Sequence, residues 1–102
     1  MEKDVFELSQ RVKSLENKIK RYKKKCTELE EQIPLLQKRE DELAPLQHSD
    51  NPRERAKYID AYCKRSLLQV ELTNTKAIIT STMYELDKIN AMDNELRQAQ
   101  PE

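Results

Sequence analysis

The 102-residue chain has no glycine and no tryptophan, and only one phenylalanine, one histidine and two cysteines. Without glycine it cannot build the positive-φ turns that tight β-hairpins and phosphate-cradling loops require. That excludes P-loops, dinucleotide fingerprints, nucleophile elbows and most all-β folds. With aromatics at 5%, a lone globular core would be thin. No apolar stretch approaches the ~18–20 residues of a membrane span, so no membrane insertion is expected. The opening MEKDVFELSQ is charged and does not read as a signal peptide.

Net charge is also missing. Nineteen basic and nineteen acidic residues cancel, so the chain as a whole is no polyelectrolyte. Cys26 and Cys63 are far apart in sequence, and with one histidine they make no zinc site. Free thiols on helices suit a reducing compartment, so a cytoplasmic or nuclear setting is expected.

What is present is helix-forming sequence rich in Glu, Lys, Leu, Gln, Ala and Arg. Val5, Val12, Ile19, Cys26 and Ile33 recur every seven residues. Leu8, Leu15, Tyr22, Leu29, Leu36 and Leu43 follow the same repeat, offset by three. Eleven of the twelve a/d positions are therefore apolar, and only Glu40 breaks the pattern. This is a strong coiled-coil signal. β-Branched residues at a with leucine at d suit a narrow seam.

Pro34 interrupts this run, removing one backbone donor and crowding the carbonyl of Glu30. The heptad phase continues beyond it, which predicts a kink near residues 30–33 rather than a reversal. The loop signal lies in APLQHSDNP. Pro45 stops the first half, and His48 lies in the turn. Asn51 is placed to cap the next helix, Pro52 suits its first position, and Glu54 suits a capping box. A turn this short predicts an antiparallel helix pair.

The second half repeats at Tyr58, Ala61, Arg65, Leu68, Leu72, Thr75, Ile79, Thr82, Leu86, Ile89, Asp93 and Leu96, with four polar residues among the twelve. Tyr62, Leu67, Val70, Ile78, Met83 and Met92 widen the apolar stripe beyond a two-helix seam. A stripe this wide predicts partners on two sides. The expected fold is all-α: long coiled-coil helices forming a helical hairpin or bent rod, assembling into a multi-helix bundle. The expected domain plan is a coiled-coil helix over 1–44, a turn over 45–52, a second coiled-coil helix over 53–98 and a tail over 99–102. The apolar seam residues of both halves, Val5 through Leu43 and Tyr58, Leu68, Leu72, Ile79, Leu86, Ile89 and Leu96, are the expected partner interface.

Candidate chemistry is sparse. Residues 18–25 (KIKRYKKK) hold six basic side chains in eight. On a helix these surround the seam residues Ile19 and Tyr22, which favours a solvated coiled-coil face over a nucleic-acid site. His48 lies near Asp50 in sequence but has no nucleophile beside it. Cys26 reads as a small hydrophobe in the seam. No catalytic residues, cofactor, metal or small-molecule substrate are expected.

The segment Leu46-Gln47-His48-Ser49-Asp50-Asn51-Pro52-Arg53-Glu54, with the Gln37–Leu46 stretch before it, resembles the coiled-coil region of the Nsp-type family of central-channel phenylalanine-glycine nucleoporins. The family pattern runs Leu-Gln-His-small-Asp-x-x-Arg-Glu and opens a long helix. The resemblance implies a hetero-oligomer with sister channel nucleoporins, located at the nuclear pore complex and anchoring repeats for nucleocytoplasmic transport. The alternatives are self-association, or a generic tether or adaptor subunit of a kinetochore, trafficking or cytoskeletal complex.

Overall fold

The computed structural model describes residues 2–99, and the side chains of 4–98. It is all-α, two long helices forming a helical hairpin. Helix α1 spans Glu2–Leu43 and helix α2 spans Pro52–Ala99. Between them lies a short 3-10 helix, Ala44–His48. Beyond Ala99, the expected tail falls outside the described residues.

Contacts gather into two compact units, one joining residues up to Lys24 with those from Lys76 onward, the other comprising Lys25–Thr75. In the Lys25–Thr75 unit the later part of α1 packs antiparallel on the early part of α2. Cys26, Leu29, Ala61 and Leu72 are its buried apolar residues. In the other unit the early part of α1 lies against the later part of α2, around buried Leu15 and Thr82.

α1 runs through Pro34 as one helix. Pro34 is exposed, so the hydrogen bond it removes falls on the wet side of the helix, where its loss costs least.

The turn is built without any positive φ among the described residues, as a glycine-free chain requires. Leu43 leads straight into 3-10 geometry, and the chain becomes extended at Ser49 (φ −63°, ψ 144°). The Ser49 N–H donates to the Leu46 carbonyl at 3.1 Å. Among the described residues only Ser49–Asn51 lies outside helical structure. The connection between the two α-helices runs over residues 44–51.

Asn51 caps α2, its Oδ1 accepting the Arg53 N–H at 3.0 Å. The capping box is relayed through a hydroxyl. The Asn51 N–H donates to Ser49 Oγ at 3.1 Å, and Ser49 Oγ donates in turn to the Glu54 carboxylate. Arg55 Nη1 closes the turn by donating to the Ser49 carbonyl at 2.6 Å. Pro52, the first residue of α2, loses no helical donor there.

Candidate interaction surface

All twelve heptad positions of α1 and all twelve of α2 are buried or half-buried. The expected interface residues Val5, Leu8, Val12, Leu15, Ile19, Tyr22, Cys26, Leu29, Ile33, Leu36 and Leu43 therefore sit in a seam with the same chain's α2. Tyr58, Leu68, Leu72, Ile79, Leu86, Ile89 and Leu96 line it from the other side. Surface pairs flank this seam within each unit. Arg11 pairs with Glu85, and Lys25 with Glu71 at 2.7 Å.

The polar seam positions find three different solutions. Glu40, the break in the α1 repeat, is buried and meets Arg65 of α2. The pair is bidentate, Nε to Oε2 at 2.7 Å and Nη2 to Oε1 at 3.0 Å. That fork geometry suits guanidinium and carboxylate. The hydrogen bond from Arg65 holds the Glu40 carboxyl below the usual carboxylate range, although burial opposes it. The same bond raises Arg65. Arg65 also lies over the Tyr62 ring, 5.4 Å from its centroid. Tyr62 in turn stacks at a tilt on Tyr58, with centroids 6.4 Å apart.

Thr75 and Thr82 are each 3% exposed. Their hydroxyls donate to carbonyls one turn back in their own helix, Glu71 and Ile78, both at 2.7 Å. This satisfies a buried hydroxyl without a partner from α1.

Asp93 is satisfied on one oxygen only. Oδ2 accepts from Arg97 Nε at 3.1 Å, while buried Oδ1 has no hydrogen-bond partner.

Glu40 alone reads as a flaw in the repeat and Arg65 alone as another. The fold brings the two together across the seam, and neither position on its own announces the pair.

The surface tells a second story. Among the described residues nine large apolar side chains are exposed, and seven belong to α2: Ile59, Tyr62, Leu67, Val70, Met83, Tyr84 and Met92. Of the residues that widen the α2 stripe in the sequence, only Ile78 is half-buried. Ile59 and Tyr84, which the seam repeat does not flag, join the exposed set. On α1 only Phe6 and Leu35 are comparable.

His48, Pro45, Asn51 and Pro52 are all exposed in or beside the turn. Cys63 is an exposed free thiol and Cys26 a buried one. The basic run is spread around α1, with Lys18 half-buried and Lys20, Arg21 and Lys23–Lys25 exposed. Among the described residues no group of three or more His, Cys, Asp or Glu side chains could hold a metal ion. No helix among them is long and apolar enough to cross a membrane.

No protein-family model, curated protein or solved structure matches this chain.

Proposed function

We propose that the chain is a structural assembly module, a helical hairpin that spends its seam internally and offers the outside of α2 to other helices. The observation that carries this reading is the set of exposed large apolar side chains on α2, seven of the nine among the described residues, with Ile59, Leu67, Val70 and Tyr84 on the side away from the seam. On a chain that is 37% charged, such a face is costly to leave in water. The capped turn and the Glu40–Arg65 pair fix the register in which α2 is held, so the face is presented on a rigid element rather than a loop.

In its finer form, the reading makes the chain a coiled-coil segment of a nuclear pore channel nucleoporin, bundled with sister channel nucleoporins. The Leu46–Glu54 segment supports that setting. Its Ser49 and Glu54 act with Asn51 in the cap that opens α2, and Ser49 and Glu54 are positions that the family pattern specifies.

The test is reconstitution with the coiled coils of the two sister channel nucleoporins. Light scattering after size exclusion should report a stable ternary complex. That complex should be lost when Leu67 and Val70 are both changed to Asp, while circular dichroism stays helical. A chain that elutes unchanged beside both sister proteins would refute the nuclear pore setting.

A further inference from the structure

The outward positions of α2 carry an antiparallel charge pattern. From Arg53 to Glu95 nineteen residues lie on the three heptad positions farthest from the seam, and eighteen are exposed. Only five of the nineteen are charged: Arg53, Asp60, Asp87, Lys88 and Glu95. Between residues 61 and 86 none is. The same positions of α1, from Phe6 to Glu42, carry ten charges among seventeen. A solvated helix back is expected to look like α1.

The signs of the α2 charges matter as much as their scarcity. Arg53 and Asp60 stand at one end of the neutral stretch, Lys88 and Glu95 at the other. Suppose a second copy of α2 lies on this face antiparallel, with the two-fold axis beside Asn74. Arg53 then comes level with the second copy's Glu95, and Asp60 level with its Lys88. The two-fold repeats both pairs at the opposite end, as an isologous contact requires. Between them Cys63 comes within one residue of the level of Tyr84, and Val70 within one of Ala77, so on this face neutral side chains meet neutral ones. Asp87 falls within two residues of the level of Ile59 and is the one charge with no opposite. A parallel copy would set every one of these charges against itself, which is unfavourable.

The side chains involved are available. Asp60 is 64% exposed and pairs only locally with Lys64 at 2.9 Å. Lys88 lies over the Tyr84 ring, 4.9 Å from its centroid, and Tyr84 is itself 64% exposed.

From this complementarity we infer that the outer face of α2 docks a second copy of the same chain, antiparallel, with the axis at Asn74. The inference rests on the reading of the chain as an assembly module and names the occupant of its face. The surface is distinct from the seam, which stays within each chain.

The register yields a covalent test. Cys63 of one copy should lie beside position 84 of the other. Within one chain the two positions are 21 residues apart on one helix, about 30 Å, far beyond disulfide reach. Mild oxidation of Tyr84→Cys should give a disulfide-linked dimer, and mass mapping should find the bond between positions 63 and 84. Wild type carries only Cys63 on this face and should cross-link poorly, because the two Cys63 residues are about 30 Å apart in this register.

Charge reversal tests the ends. Asp60→Lys and Lys88→Asp should each weaken dimerisation about ten- to a hundredfold at low salt. The double variant Asp60→Lys/Lys88→Asp should restore it. Efficient Cys63–Cys63 cross-linking in wild type would overturn the register, as would failure of the double variant to recover. A chain that is monomeric in light scattering up to about 100 μM would overturn self-docking. If that monomer still forms a complex with the sister coiled coils, the module reading stands and the face belongs to a different helix. If it does not, both readings fall.

Discussion

Replacing Asp93 by leucine isolates what a polar seam residue costs. Asp93 occupies an α2 heptad position, and its side chain is 21% exposed. Oδ1 is buried without a hydrogen-bond partner, which costs ~1–3 kcal/mol. A leucine about four-fifths buried would add roughly 1–2 kcal/mol of apolar burial, and its better helix propensity a few tenths more. Against this stands the loss of the exposed pair to Arg97, about 0.3–0.5 kcal/mol. The balance is a gain of roughly 2–5 kcal/mol. For a chain of this length that corresponds to about 10 °C or more in Tm.

Circular dichroism at 222 nm, followed through thermal and urea unfolding at two protein concentrations, measures the change. Concentration independence shows that the gain is intramolecular. Asp93→Ala serves as a control, because it relieves the buried oxygen without adding apolar surface, and it should fall between wild type and Asp93→Leu. If Asp93→Leu is no more stable than wild type, Oδ1 is satisfied after all, or α1 does not cover this position, and the account of the seam there is wrong.

Other expectations follow from the same geometry. The Glu40 carboxyl is depressed in the folded chain, so its contribution is complete above the unfolded carboxylate range and fades as pH falls through the lower folded value. The stability gap between wild type and Glu40→Gln, from urea titrations across acid pH, should therefore close as pH drops; a constant gap would contradict the Arg65 pairing. Asn51→Ala removes the cap on α2 and should cost ~1 kcal/mol in urea unfolding; no change would mean the Asn51–Arg53 bond does not form in solution. Leu29→Ala, at a site 5% exposed, should cost ~2–5 kcal/mol. Val70→Ala, at a site 57% exposed, should change monomer stability by less than about 0.5 kcal/mol. Equal effects at both sites would erase the distinction between seam and face.

The seam was legible because an apolar repeat of seven leaves little freedom in which face a helix buries. The turn was legible from Pro45, Asn51 and Pro52, whose backbone limits and capping capacity act locally. The route of the cap was less so. Glu54 stands where a capping carboxylate belongs, yet it acts through Ser49, a detail set by the extended backbone at that residue. Pro34 suggested a kink because its ring and missing donor disfavour helix, and α1 runs across it as one helix. Glu40 and Arg65 each looked like a defect, because a residue read alone cannot show a partner 25 positions away. The width of the α2 stripe was visible in Tyr62, Leu67 and Val70. What covers it was not, because an apolar face records burial without naming the occupant.

The central claim is that each chain closes its own seam and leaves α2 to face outward. Spin labels at Ser14→Cys and Asp87→Cys, in a Cys63→Ser background, test it by pulsed dipolar spectroscopy. Both positions are exposed, and both lie in the unit formed by the start of α1 and the end of α2. Packed helices at this level place the labels about 20–25 Å apart. The account predicts that this distance persists when labelled protein is diluted tenfold with unlabelled protein. A distance that vanishes on dilution would mean that the seam is formed between chains, and would contradict it.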